Sequence, residues 1–353
     1  MVEESAAHNL EGKVLGSGWE VFEKIEKPAN STGSFFSVCY KARKNGQVCF
    51  LKAFDFAKFQ QIADIENAGR SMVDIMGDMI KAYQYERDLS DHCRNRYVTK
   101  VSFVLEAGEE NLREYTYSLV PYLVFDLADG DVRKQLEFSE KLDFAWKLSS
   151  LHDVTVGLRQ LHNIEVSHQD IKPSNILVFN KSSKIGDLGR SLCKSLENPY
   201  EGYVFTGDHN HAPPEIMYQY YSDDWNTRVF ATDCYLLGSL IVFYFSGISM
   251  SALLMKNIPN NFRVEKWRGH YSDVITYIMD SFYCSLEEFS DAIPYTEFKN
   301  ELRLIVEQLC FPIPDQRGHP KNIASKASSY SLERYISLFD RLHKKAEYTI
   351  KNI

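Results

Sequence analysis

Four polar residues in the middle of the chain stand in an order that phosphoryl chemistry can use. Asp170, Lys172, Asn175 and Asp187 are separated by 2, 3 and 12 positions. Moving a phosphoryl group asks for little covalent chemistry. Phosphate charge must be neutralised, the attacking hydroxyl must be oriented, and both need a cleft. Asp170 is the kind of group that accepts a hydroxyl proton, and Lys172 can pair with the transferring phosphate. The amide oxygen of Asn175 and the carboxylate of Asp187 are hard donors of the type Mg2+ prefers. Alone, an Asp-Leu-Gly is a turn and a His-x-Asp is a loop around a satisfied histidine. In this order the four point to one site.

The elements that must position them can be read from periodicity. "ILVF" (Ile176–Phe179) and "KIGDLG" (Lys184–Gly189) read as short strands flanking the loop, and Leu142–His162 as one long helix. Further upstream, "WEVFEKI" (Trp19–Ile25) alternates apolar and polar residues as a half-buried strand does. "FFSVCYKAR" and "VCFLKAF" form a hairpin whose turn is Asn45-Gly46. About Phe56 to Cys93 reads as helical, with Gly69 and Gly77 as breaks, and "YVTKVSFVLEAGE" and "EYTYSLVPYLVFDLA" read as two more strands. After Asp129-Gly130 helices dominate. The result is an α+β chain: a β-rich part over 1–125, a connection at 126–130, and a helical part over 131–353.

Composition narrows the function. The chain has 353 residues, 44% of them hydrophobic, enough for a sizeable core. A net charge of 40 − 48 = −8 argues against wholesale nucleic-acid binding. Seven cysteines are scattered singly, which excludes a zinc framework and suits a reducing, cytoplasmic setting. The first residues, "MVEESAAHNLEGK", are acidic and show no signal-peptide pattern. Cys234 to Met255 is uncharged and long enough to span a bilayer. Its serines, its glycines and the lack of an immediate basic flank favour a buried helix ending near Gly247, so no membrane is expected. The basic tail "RLHKKAEYTIKNI" reads as a solvated helix end.

Over roughly residues 19 to 340 the chain resembles the eukaryotic-type protein kinase family. "HQDIKPSN" (His168–Asn175) resembles H-R-D-x-K-x-x-N, "DLG" resembles D-F-G, and "APPE" (Ala212–Glu215) resembles A-P-E. "TDCYLLG" (Thr232–Gly238) resembles the start of a buried helix whose Asp, here Asp233, supports the catalytic loop. "PDQRGHP" places Arg317 where the family has the partner of the A-P-E Glu, here Glu215. "CFLK" resembles V-A-I-K. The resemblance implies a bilobal fold with a small antiparallel β-rich N-lobe and a larger helical C-lobe. It implies ATP and Mg2+ as cofactors and a protein substrate phosphorylated on Ser or Thr. Asp170 and Lys172 would be catalytic, and Asn175 and Asp187 would hold the metal. Lys52 would contact the phosphates, with Gly33 in the loop that covers them. Cys39, Phe50 and Leu177 would line the base site, and Phe125, Asp126 and Ala128 the hinge. Lys52 needs a helical Glu, and Glu66 and Glu86 are candidates. Met79, Tyr83 and Glu86 share one helical face, which favours Glu86 and implies an insertion at about 60–80.

The chain departs from the family in four places. The nucleotide loop "NSTGSFFSVCY" has one glycine, Gly33, where the family has three; Gly16–Gly18 precedes the first strand and is no substitute. Phe50 stands where Ala is usual, which narrows the base site. Gln169 replaces the Arg that receives an activating phosphate in many relatives, so activity should not rest on such a clamp. Asp208 replaces a Thr and His211 a Tyr near the acceptor site, where Asp208 can pair with Lys172 or repel Asp170. Two other readings stand beside protein kinase. One is a pseudokinase scaffold. The other is a small-molecule phosphotransferase of the aminoglycoside or choline kinase type, against which the Glu215–Arg317 pairing argues. The oligomeric state is open.

Overall fold

The computed structural model describes residues 5–26, 37–59, 71–138, 144–180, 182–200, 202–325 and 328–351. Gly33, Glu66 and most of the expected insertion at 60–80 lie outside them. The chain divides into two compact units. One comprises Met1–Tyr97, Ser102–Asp129 and Leu196–Pro199; the other comprises Val98–Val101, Gly130–Ser195 and Tyr200–Ile353.

The first unit is an antiparallel sheet of β1 (Glu20–Lys24), β2 (Ser37–Lys44), β3 (Gln47–Phe54), β4 (Val104–Asn111) and β5 (Leu119–Asp126), in the order β1-β2-β3-β5-β4. Asn45 and Gly46 both take positive φ, 53° and 81°, the geometry a two-residue hairpin turn demands, and Lys44 faces Gln47 across it. Period-two alternation buries Tyr40, Ala42, Cys49, Leu51, Tyr122 and Val124 on one face. Leu10, Leu15 and Trp19 pack there too, ahead of β1. Helix α1 (Met72–Asn95) covers the other face, setting Met79 against Phe54, Val104 and Leu123. Ser71 caps α1 by accepting the Asp74 N–H. The strand expected to start near Tyr97 begins only at Val104. Tyr97 ends the helix at φ 58°, a left-handed conformation that breaks regular pairing.

The second unit is mainly helical. Helix α2 (Phe144–His162) and helix α3 (Trp225–Ser246) are both heavily buried. Helix α3 is long and apolar enough to cross a membrane, and it ends at Gly247 with φ 74°. Here it is a core helix, with Val229, Cys234, Leu237 and Ile241 fully enclosed. Small strands β6 (Gly130–Asp131), β8 (Ile176–Phe179) and β9 (Ser182–Ile185) form one sheet, and β7 (Val166–Ser167) pairs with β10 (Leu192–Cys193). Strand β9 stops at Ile185, before the expected end at Gly189, because Asp187 turns left-handed (φ 60°) and a 3-10 turn follows at Leu188–Arg190. The basic tail ends a helix on which Arg341, Lys344, Glu347 and Tyr348 are exposed, but its other face is not solvated. Helix α4 (Glu333–Lys351) buries Tyr335, Phe339, Leu342 and Ala346, and His343 Nδ1 lies 2.9 Å from the Ala145 carbonyl of α2. Apolar residues at helical spacing form a stripe there that the lysine-rich composition hides.

Candidate active site

In the first unit the register of the sheet decides which residues share a face. Cys39 lies opposite Lys52, Lys41 opposite Phe50, and Phe50 opposite Phe125. Cys39, Phe50, Lys52 and Phe125 therefore project together, while Val38 and Leu51 point to the opposite, apolar face. The rings of Phe50 and Phe125 lean on each other at 6.2 Å and 58°. Asp126 closes β5 as an exposed residue, and Ala128 follows two positions later, half-buried. Lys52 Nζ lies 2.9 Å from both carboxylate oxygens of Glu86. Glu86 is 3% exposed and rides on the same stripe of α1 as Met79. A buried carboxylate needs such a cation, and the pair holds the ammonium on the sheet face.

In the second unit the loop between β7 and β8 carries Asp170, Lys172 and Asn175. Asp233, enclosed more than two turns into α3, organises it. Its Oδ1 accepts the Gln169 N–H at 2.8 Å, and its Oδ2 accepts the His168 N–H at 2.9 Å and the Ser167 hydroxyl at 2.8 Å. These bonds hold Gln169 at φ 66°, an uncommon conformation for a residue with a side chain. His162 Nε2 also sits 2.9 Å from Asp233 Oδ2, a contact that nothing in the spacing of the sequence signals.

Asp170 is 8% exposed and held from three sides. Asn175 Nδ2 donates to its Oδ2 at 2.9 Å, Lys172 Nζ lies 3.0 Å from the same oxygen, and the Asp208 N–H donates to its Oδ1 at 3.0 Å. Asp208 Oδ2 stands 3.4 Å from Lys172 Nζ. Of the two expectations for Asp208, the pairing with Lys172 is what the geometry has. Burial works to raise the Asp208 pKa, but the Asn210 N–H and the Lys172 charge outweigh it and hold the carboxyl below its usual range. Burial pushes the His211 imidazole pKa down. Asp187 follows β9 in its left-handed turn. Gly186 beside it has no room for a side chain, since a Cβ would come 2.7 Å from Leu177 Cδ1. Its N–H donates to the Asn175 carbonyl at 2.8 Å, which ties the residue before Asp187 to the Asn175 backbone. Leu177, half-buried on β8, faces Lys184.

Farther along, Arg317 meets Glu215 in a two-pronged ion pair, 2.7 and 2.9 Å, with the guanidinium fully enclosed. The Glu215 charge raises the Arg317 pKa still further, overcoming burial, which works to lower it.

The protein kinase domain family model matches residues 36–326. The chain is 27% identical over 195 residues to mitogen-activated protein kinase 4 of Arabidopsis thaliana, covering 55% of this chain and 47% of that protein. It is 26% identical over 198 residues to mitogen-activated protein kinase homolog NTF6 of Nicotiana tabacum, covering 56% and 48%. It is 27% identical over 168 residues to the serine/threonine-protein kinase greatwall of Xenopus laevis, covering 47% and 16%. The chain thus spans less than half the length of these relatives. With the matched region covering most of its residues, the chain belongs to the protein kinase domain family.

Proposed function

We propose that this chain transfers the γ-phosphoryl group of ATP to serine or threonine hydroxyls on proteins, with Mg2+ as cofactor. The observation that carries the reading is the Asp170 carboxylate, held by Asn175 Nδ2, Lys172 Nζ and the Asp208 N–H. Those donors fix its rotation: Oδ2 takes two of them and Oδ1 one, which leaves Oδ1 a lone pair for a further donor. Asp170 then orients the acceptor hydroxyl and takes its proton as the acceptor oxygen bonds to the γ-phosphorus and the bond to the β-phosphate oxygen breaks. Lys172 stabilises charge on the transferring group. Lys52, anchored by Glu86, holds the α- and β-phosphates.

The donor set suits Mg2+. Asn175 turns its Nδ2 toward the Asp170 carbonyl at 2.8 Å and carboxylate at 2.9 Å, so its amide oxygen, which among the described residues accepts only the Ser174 hydroxyl at 3.4 Å, would serve with Asp187 as a hard ligand. Asn175 and Asp187 would hold the ion, which would supply neutralisation of the phosphate charge. A cytoplasmic setting belongs to the proposal, supported by seven cysteines scattered singly through the sequence without a pairing framework.

The test is transfer of label from ATP with Mg2+, using the protein alone, the protein with a generic basic acceptor, and an Asp170→Asn control. Label on Ser or Thr that disappears in the control supports the reading. ATP binding without transfer points to a scaffold or a small-molecule acceptor, and absence of ATP binding overturns the reading.

A further inference from the structure

Asp208 places a carboxylate beside the group that would receive the acceptor hydroxyl. Its backbone N–H lies 3.0 Å from Asp170 Oδ1, and its Oδ2 lies 3.4 Å from Lys172 Nζ. The side chain does not swing freely. Oδ1 accepts the Asn210 N–H at 3.0 Å and Asn210 Nδ2 at 3.1 Å, capping the 3-10 turn His209–His211. The segment around it is fixed as well. Thr206 Oγ1 donates to the Arg190 carbonyl at 2.5 Å, and Ser251 Oγ donates to the Ala212 carbonyl at 2.9 Å. Gly207 packs so closely on the Gln169 carbonyl that any Cβ would collide with it.

The charges facing Asp208 are those of Lys172 and His211, and His211 in turn feels Asp170. Two carboxylates and one ammonium give the cluster a formal charge of −1, and burial disfavours a charged His211. A hydroxyl bound to Asp170 sits about 3 Å from it, and residues on either side follow at about 3.5 Å per residue. The side chains next to the acceptor therefore fall within about one Debye length, roughly 8 Å, of the Asp208 carboxylate. From this geometry we infer that Asp208 is a specificity-determining residue, which selects acceptor sites flanked by Lys or Arg and rejects those flanked by Asp, Glu or a phosphorylated residue. The inference rests on the protein kinase reading. A Thr at this position, as in the resembling family, would carry no such charge.

The experiment compares two peptides that share one acceptor hydroxyl, one flanked by Lys on both sides and one by Glu. They are phosphorylated by the wild-type chain, Asp208→Asn and Asp208→Thr, each at low and high salt. The wild type should favour the Lys-flanked peptide in kcat/KM by roughly tenfold, a gap that salt narrows. Either variant should bring the ratio close to one, whatever its absolute rate. A purely structural role would lower both rates together and leave the ratio unchanged, which overturns the inference. So does a wild type that treats the two peptides alike. If both variants are silent, a wild-type preference that does not shrink with salt overturns it, and one that shrinks supports it. Transfer to neither peptide, with no self-labelling by the wild type, is a different failure: that of the kinase reading itself.

Discussion

Arg317 and Glu215 meet across 102 residues of chain, with Nη1 2.7 Å from Oε1 and Nη2 2.9 Å from Oε2. The guanidinium also donates to the carbonyls of Phe311 and Ala231, both at 2.9 Å. Removing one partner leaves a buried charge alone. Arg317→Met or Glu215→Ala should each cost about 3–5 kcal/mol of stability. Replacing both together should cost clearly less than the sum. Urea unfolding of the singles and the double checks this, and additive losses would contradict it.

Gln169 is fully buried, and its Nε2 donates to Ser167 Oγ at 2.7 Å and to the Val229 carbonyl at 3.1 Å. Its Oε1 has no hydrogen-bond partner among the described residues. A neutral, enclosed amide is no receptor for a phosphate. Treating the purified protein with a phosphatase should therefore leave its transfer rate within about twofold of the untreated rate. A collapse of the rate that returns on rephosphorylation would show that another cation does the clamping.

Phe50 shares its sheet face with Lys52, Cys39 and Phe125, and its ring rests against Phe125. A ring in place of a methyl group crowds whatever base lies on that face. Phe50→Ala should tighten ATP binding by about threefold to tenfold, the scale of relieving an overpacked contact. Calorimetric titration with ATP reads the change. Weaker binding by the variant would mean that the ring stacks on the base instead of crowding it.

Asp153 on α2 accepts the Ser183 N–H at 3.0 Å and lies 2.6 Å from Lys100 Nζ. Burial works to raise its pKa. Hydrogen bonds from His152, Lys100 and Ser183 outweigh this and bring it down to about 2 from 3.8. A carboxyl whose folded pKa lies below its unfolded value contributes stability above the unfolded pKa and loses it as pH falls through the folded one. Asp153 should thus contribute about 2 kcal/mol at neutral pH, lost between about pH 4 and pH 2. Asp153→Asn should lower stability at pH 7 and flatten the curve in that window. Denaturant midpoints measured from pH 2 to 7 decide it, and parallel curves for the two proteins would refute it.

Much of the architecture was legible because its signals are local. The Asn45-Gly46 turn needs only two residues that tolerate positive φ. The ILVF strand, the helix ending at His162 and the core helix stopping at Gly247 follow from apolar periodicity and a terminal glycine. The misreadings have local causes too. Composition suggested a solvated tail, which holds for Lys344 and Glu347 but misses Leu342 and Ala346, the end of a buried stripe. Alternating residues suggested strand from Tyr97 and through Gly189, where left-handed Tyr97 and Asp187 interrupt the pairing. The contact of His162 with Asp233 has no local signature at all.

The amino-acid order alone determined the set and spacing of the chemical groups, since Asp170, Lys172, Asn175 and Asp187 are legible without coordinates. Only the tertiary structure decided how they are held. Lys52 meets Glu86 because sheet register turns one toward the helix stripe that carries the other. Asp233 grips the Gln169 backbone 64 residues away. Asp208, 38 residues past Asp170, comes to neutralise Lys172 rather than only to repel a carboxylate. Local preference depends on backbone sterics and periodicity, which a short window contains. A contact between distant residues depends on which faces pack, and that is settled only when the whole core closes.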